Sequence, residues 1–230
     1  MIRGALAATI SCIIFFGLGE VGARMWIASR GDALDTTRSI LVPDAHLLWR
    51  GAPNLSTTFL GHALTTNEFG WRASTTAEIM REPRRILMLG PSSTFGWGVG
   101  GDETYSALLE ADLKGAAKVI NAGEIGYSSE QGVRLAKLTE VANIRPEIIV
   151  IAYGINDLDQ YRFFFQGPES DRVAFELTRT ESEVHALRLM RTSAFGYLLL
   201  KYVPLVRGAV PHAVSVRVSE GEFVENQRAL

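Results

Sequence analysis

The chain opens on an uncharged run. After Arg3, Gly4–Gly19 (GALAATISCIIFFGLG) carries no charged residue, and Glu20 and Arg24 then precede Met25-Trp26-Ile27. At ~1.5 Å per helical residue the run spans roughly 24 Å, short of a ~30 Å hydrocarbon core, and continuation to Ile27 supplies the rest. Glu20 and Arg24 fall on one helix face, where they pair or reach the interface, and Trp26 suits the interfacial belt. The pattern predicts a transmembrane signal anchor over residues 1–27. A cleaved signal peptide, with Val21-Gly22-Ala23 as a small-residue cleavage site, is one alternative, and a buried soluble helix is another. Arg3 and the amino terminus favour an inside N-terminus, against Arg24 and Arg30 beyond the run. The body of the chain is therefore expected on the extracytoplasmic side of the membrane.

Residues 28–83 are irregular. Gly31, Pro43, Gly51, Pro53, Gly61 and Gly70 interrupt short apolar pieces such as Ile40-Leu41-Val42 and Leu47-Leu48-Trp49. Small strands or turns packed on the main body are expected in this lead-in.

From Arg84 the periodicity changes, and residues 84–230 read as one domain. Ile86-Leu87-Met88-Leu89 is a continuous apolar run ending at Gly90, the pattern of a buried parallel strand. Thr104–Leu113 places Tyr105, Leu108, Leu109 and Leu113 at helical spacing. Lys118-Val119-Ile120 predicts a second strand, closed by Asn121-Ala122-Gly123. Ser129–Val141 predicts a helix with Ser129 as its N-cap and Val133, Leu135, Leu138 and Val141 as its apolar set. Ile148–Tyr153 is the strongest strand and closes at Gly154. Strand, helix, strand, helix, strand with short links predicts a parallel α/β sheet. The clusters Gly90–Gly96, Asn121–Gly126 and Gly154–Asp157 then meet at the carboxyl ends of the strands, where open sheets bind ligands.

Composition sharpens the class. The chain is 47% apolar and 21% charged, which excludes a disordered chain, and 23 Lys+Arg against 25 Asp+Glu leave no basic field for nucleic acid. A single cysteine, Cys12, excludes an internal disulfide and a cysteine-cluster metal site; it sits in the apolar run with no convincing lipobox before it. No metal or cofactor is implied.

In Gly90-Pro91-Ser92-Ser93-Thr94-Phe95-Gly96, a serine just past a strand is held out of the sheet as a nucleophile, or it merely caps a helix. Gly96-x-Gly98-x-x-Gly101 matches a dinucleotide fingerprint in letters only: it starts six residues after Gly90, and no GK[ST] follows. Gly123 offers an unhindered backbone N–H and Asn156 a side-chain amide, two donors that with the Ser92 N–H make an oxyanion hole. The plain alternative for Asn156-Asp157 is a turn.

Three blocks in this order resemble the SGNH/GDSL hydrolases: Ile86–Val99 (ILMLGPSSTFGWGV), Val119–Ser129 (VINAGEIGYSS) and Ile148–Asp157 (IIVIAYGIND). The likeness covers residues 84–160, and some members also carry an N-terminal membrane helix and a segment like Asn67-Glu68-Phe69-Gly70-Trp71-Arg72. It implies a flavodoxin-like three-layer α/β/α sandwich, with Ser92 as nucleophile. It further implies Ser92 N–H, Gly123 N–H and Asn156 as the oxyanion hole, with Asp157 in support. Two departures stand out. Pro91 replaces the usual Asp or Gly, which costs only its own N–H. The family's D-x-x-H block, which carries the general base, is absent. The four histidines are His46, His62, His185 and His212, of which only His212 is a late candidate. Val218–Leu230 starts an amphipathic helix on Phe223, Val224, Gln227 and Leu230, so the chain is expected to end before the base-bearing segment.

The expected activity is hydrolysis of an ester, such as an O-acetyl group on a small molecule or glycan, through an acyl-enzyme on Ser92. Two alternatives stay open: a membrane-tethered binding or scaffold protein impaired by loss of the base, and an O-acyltransferase using the same site.

Overall fold

A computed structural model describes residues 2–30, 37, 39–158, 170–176, 184–185, 188–189, 193–202 and 217–230. The lead-in folds as two antiparallel hairpins, in line with its short apolar pieces. In the first, β1 (Leu41–Asp44) pairs with β2 (Leu48–Gly51). The Asp44 carboxylate fixes their turn by accepting the His46 and Leu47 N–H groups at 2.8 and 2.9 Å, the local bond that makes Asp a turn residue. In the second, β3 (Ser56–Phe59) pairs with β4 (His62–Thr65) across Leu60-Gly61. Both turn residues have positive φ (50° and 86°), as a tight two-residue hairpin requires.

These hairpins share the main core. Trp49, Leu64 and Trp71 are buried in one cluster with Leu87, Leu89, Phe95, Ile120 and Tyr127 of the α/β part.

The apolar runs after Arg84 form a parallel sheet in the order β6-β5-β7. β5 (Arg85–Leu89) is central, flanked by β6 (Lys118–Asn121) and β7 (Ile148–Ile151). β5 is buried from Leu87 onward, as its uninterrupted apolar pattern requires. β7 stops at Ile151, before Ala152-Tyr153, and Ile148, Ile149 and Val150 stay exposed among the described residues.

The β5–β6 crossover carries the helix Tyr105–Asp112, capped by Thr104, whose hydroxyl accepts the Ala107 N–H at 3.2 Å. The β6–β7 crossover departs from a single helix over Ser129–Val141. It forms two, Ser129–Ala136 and Thr139–Ile144, with Leu138 extended between them. The extended Leu138 re-aims the second helix relative to the first. Leu138 itself is set against the core, and Leu135 and Ile144 on either side of the break are fully buried.

The N-cap is Ser128 instead of Ser129. A capping box explains the shift, because Ser128 Oγ faces the Gln131 N–H while the Gln131 side chain returns to the Ser128 N–H.

The last helix, Glu220–Ala229, starts on a second capping box between Ser219 and Glu222. Its buried residue is Asn226, which donates to Ser129 Oγ at 3.1 Å, whereas Val224 is exposed. Of the apolar set expected there, Leu230 packs against the core and Phe223 is half-buried, whereas Val224 and Gln227 face outward. A polar contact to the helix Ser129–Ala136 decides the orientation.

The first helix runs Ile2–Arg30. Its stretch Leu6–Ser29, with a mean hydropathy of 1.8, is long and apolar enough to cross a membrane, a test that signal sequences also meet. Glu20 and Arg24 pair at 2.7 Å, and Cys12 is exposed.

Candidate active site

The turn after β5 is built by close approach. A Cβ on Gly90 would lie 2.0 Å from Thr94 Oγ1, so only glycine lets the chain turn back on itself there. Pro91 is extended (φ −84°, ψ −154°), and its carbonyl accepts the Thr94 and Phe95 N–H groups at 3.0 Å. Proline is accommodated because this position needs only a carbonyl.

Ser92 is the first residue of the helix Ser92–Phe95, and Gly96 ends that helix in the left-handed region at φ 87°. Ser92 is half-buried, and among the described residues its hydroxyl has no hydrogen-bond partner. As a first helical residue it also has no intrahelical acceptor for its N–H.

Arg72 holds the far end of this turn. Its guanidinium donates to the carbonyls of Phe95, Gly96 and Val99 at 3.3, 2.8 and 2.8 Å and lies 5.5 Å over the Phe95 ring. The Asn67–Arg72 segment presents it: the Asn67 side chain accepts the Phe69 and Trp71 N–H groups, each at 3.0 Å.

Gly123 is packed on the same turn. A Cβ there would sit 2.4 Å from Phe95 N and 2.6 Å from Thr94 C, so the backbone approach demands glycine. Its N–H donates to Asn121 Oδ1 at 3.0 Å. The lead-in hairpin fixes the residues that follow. Trp49 Nε1 donates to the Ile125 carbonyl at 2.8 Å, the Tyr127 hydroxyl donates to the Trp49 carbonyl at 2.6 Å, and the Gly51 N–H reaches both Glu124 oxygens at 3.1 and 3.0 Å. Residues 41–51 thus act as a clamp on the glycine block.

Glu124 is buried, and desolvation raises its carboxyl from 4.5 to about 8 against the opposing pull of the Gly51 N–H and Arg50. Below pH 4.5 the folded and unfolded chains both hold this proton. As pH rises from 4.5 towards 8, the unfolded chain gives it up while the folded chain keeps it, so stability falls and then levels off above about 8. Glu124→Gln is expected to remove that part of the decline, as read from melting temperatures at a series of pH values. A variant that keeps the wild-type slope would assign the proton elsewhere.

Asn156 and Asp157 lie in a short 3-10 turn after Gly154. Asn156 Nδ2 donates to the Tyr127 carbonyl at 3.0 Å, which ties the third cluster to the second. The Asp157 carboxylate accepts the Ser129 N–H at 2.7 Å, a negative group at a helix start, and burial raises its pKa. Its carbonyl accepts the Arg217 and Val218 N–H groups at 3.0 and 3.2 Å.

Arg217 carried no sequence signal, yet it joins the lead-in hairpin, the glycine block and the Asp157 turn. It forms a buried ion pair with Asp171 at 2.8 Å, donates to the Gly126 carbonyl and Gln131 Oε1, both at 2.6 Å, and lies 5.3 Å over the Trp49 ring. Ser128 Oγ donates to the same Asp171 carboxylate at 2.5 Å.

The three strand ends therefore converge as the sequence predicts. No described histidine bonds to Ser92. His46 and His185 are exposed, His62 lies 3.8 Å from Glu103, and His212 falls outside the described residues. A polar cavity of about 470 Å³ lies apart from Ser92, Gly123 and Asn156, lined by residues including Thr65, Glu78, Ser106 and Lys118.

A parallel α/β sheet with a serine turn, a glycine block and an Asn-Asp turn at its carboxyl edge defines a class of α/β hydrolytic folds. The chain belongs to the GDSL-like Lipase/Acylhydrolase family, whose profile matches residues 88–217, and so to the SGNH/GDSL hydrolases that act on esters. Among solved structures, it is similar to AlinE4, an SGNH-hydrolase family esterase (20% identity, 64% of this chain, 92% of that chain, TM-score 0.29). Two single-substitution variants of that esterase match at 22% and 21% identity, with the same coverage and TM-score. No curated protein matches the chain.

Proposed function

We propose that this chain is a membrane-anchored serine esterase, with its body outside the cytoplasm and Ser92 as the nucleophile. The observation that carries the reading is the unengaged Ser92 hydroxyl on a turn against which the Gly123 backbone is packed. Ser92 Oγ adds to the ester carbonyl, its proton passing through solvent water to the departing alkoxide, and the tetrahedral oxyanion faces the Ser92 N–H, the Gly123 N–H and an Asn156 amide N–H. Asn156 spends one N–H on the Tyr127 carbonyl and keeps the other, while Gly123 exchanges Asn121 Oδ1 for the oxyanion. Collapse expels the alcohol, and water then releases the acid from the acyl-enzyme. An O-acetyl ester on a small molecule or glycan is the proposed substrate. Asp157 supports the site by holding the start of the helix Ser129–Ala136.

A second reading rests on a specific observation. Among the described residues, no group meets the Ser92 hydroxyl as a base. Loss of a base costs orders of magnitude, although an oxyanion hole alone retains ~10³–10⁴ over water. The chain would then be a tethered binding or scaffold protein.

A fluorescent phosphonate applied to the full chain in detergent, with mass mapping of the adduct, separates these readings when paired with p-nitrophenyl acetate hydrolysis. The esterase reading expects an adduct on the Ser92 peptide together with turnover. Absence of both would establish the scaffold reading. Turnover only when an alcohol acceptor is added would establish an O-acyltransferase.

A further inference from the structure

The first helix does not stand alone. The helix Ala194–Tyr202 (AFGYLLLKY) packs against it, with the Phe195 ring 5.9 Å from Phe15 and 6.1 Å from Phe16, both edge-on. Gly19 makes the seat, because a Cβ there would come within 3.1 Å of the Phe195 ring.

The start of the second helix is capped by the first. Glu20 accepts the Ala194 and Phe195 N–H groups at 3.0 Å and the Ser193 hydroxyl at 2.7 Å, while Ser193 Oγ accepts the Gly196 N–H at 3.0 Å. In water such N–H groups are solvated at little cost. In hydrocarbon each bare one costs several kcal/mol, and a mid-membrane helix start is tolerated only when the protein satisfies it.

The contact sits at the right depth for that requirement. Residues 15–20 lie near the middle of the Leu6–Ser29 stretch. The stretch around them faces outward, with Ile13, Phe15, Phe16 and Leu18 at 66%, 62%, 58% and 69% exposure. Nine helical residues extend ~13 Å, close to the ~15 Å that separate the midplane from one face of a ~30 Å core. From Ala194 through Leu200 the segment has no charge, and Leu198 and Leu199 are only half-buried by protein. Glu20 is the only acid in Leu6–Ser29, and its carboxylate is taken up by Arg24 and by this helix start.

We propose that residues 193–202 form a second, half-spanning membrane segment, docked on the first helix through Glu20 and in contact with phospholipid acyl chains. The inference rests on the membrane-anchor reading of the first helix.

The test uses the full chain with bimane attached at one cysteine and reconstituted into phosphatidylcholine vesicles. Quenching by lipid carrying mid-chain doxyl groups is compared with quenching by aqueous iodide. Native Cys12 reports on the first helix. Leu199→Cys, or Leu198→Cys should the first variant fail to fold, reports on the second in a Cys12→Ser background. Ala111→Cys marks an exposed site on the body.

Probes at positions 12 and 199 are expected to respond to doxyl lipid and resist iodide, with the reverse at position 111. Iodide quenching at 199 with doxyl quenching at 12 would overturn the second segment and leave the anchor standing. Protection of 199 from both quenchers would mean burial in protein and would also overturn it. Iodide quenching at 12 would overturn the anchor reading, and the second segment with it.

Discussion

Ser92→Ala is expected to reduce phosphonate labelling and ester turnover to background while leaving the melting temperature within a degree or two of wild type. The two halves of this outcome come from one observation: among the described residues the Ser92 hydroxyl has no hydrogen-bond partner. A side chain that donates to nothing contributes little to folding, so its removal leaves no buried group stranded. The turn is held by groups the substitution does not touch, namely the Pro91 carbonyl, the Arg72 guanidinium and the glycine contacts at 90 and 123. Ser93 is exposed beside it, and Ser93→Ala is the control that should keep labelling. Equal labelling of wild type and Ser92→Ala would remove Ser92 as the nucleophile, and loss of labelling only in Ser93→Ala would move the role to its neighbour.

Arg217→Met is expected to cost about 3–5 kcal/mol of stability, the range for breaking a buried ion pair from one side. The Arg217 and Asp171 side chains are 1% and 0% exposed, so the Asp171 charge would be left in the interior without its guanidinium, Ser128 being among the partners it keeps. The Gly126 carbonyl and Gln131 Oε1 would lose their guanidinium donor as well. Arg217→Lys restores charge but not the planar fork that serves Asp171, Gln131 and Gly126 together, so it should recover only part of the loss. Urea unfolding of the detergent-solubilised chain reads this as a lower midpoint at unchanged slope. Wild-type midpoints in Arg217→Met would show that the pair merely fills space.

These two residues differ in how visible they are in the sequence. Ser92 follows an apolar run and a glycine, signals that sit within a few residues of one another. The same is true of β5, β6 and β7, of the helix capped by Thr104, and of Asn156-Asp157. Arg217 sits in Val216-Arg217-Val218, where nothing distinguishes it from a surface arginine. Its partner Gln131 is 86 residues away, as Glu124 is 73 from Gly51 and Trp49 is 76 from Ile125. No periodicity or spacing encodes such pairs, because they exist only once the chain has brought its distant parts together. The helix break at Leu138 and the burial of Asn226 fall in the same group. In both cases tertiary packing set a detail that the local pattern did not carry.

The sequence alone determined that three short apolar strands would end in small or polar clusters, and that an uncharged run would lead the chain. Backbone hydrogen bonding and the hydrophobic effect act on neighbouring residues, and their periods are written in the order of side chains. Only the tertiary structure decided that the lead-in hairpin clamps the glycine block, that Arg72 grips the Ser92 turn, and that Arg217 ties the hairpin and the glycine block to the Asp157 turn. Buried polar groups must find partners wherever the fold provides them, and the fold provides them from far along the chain.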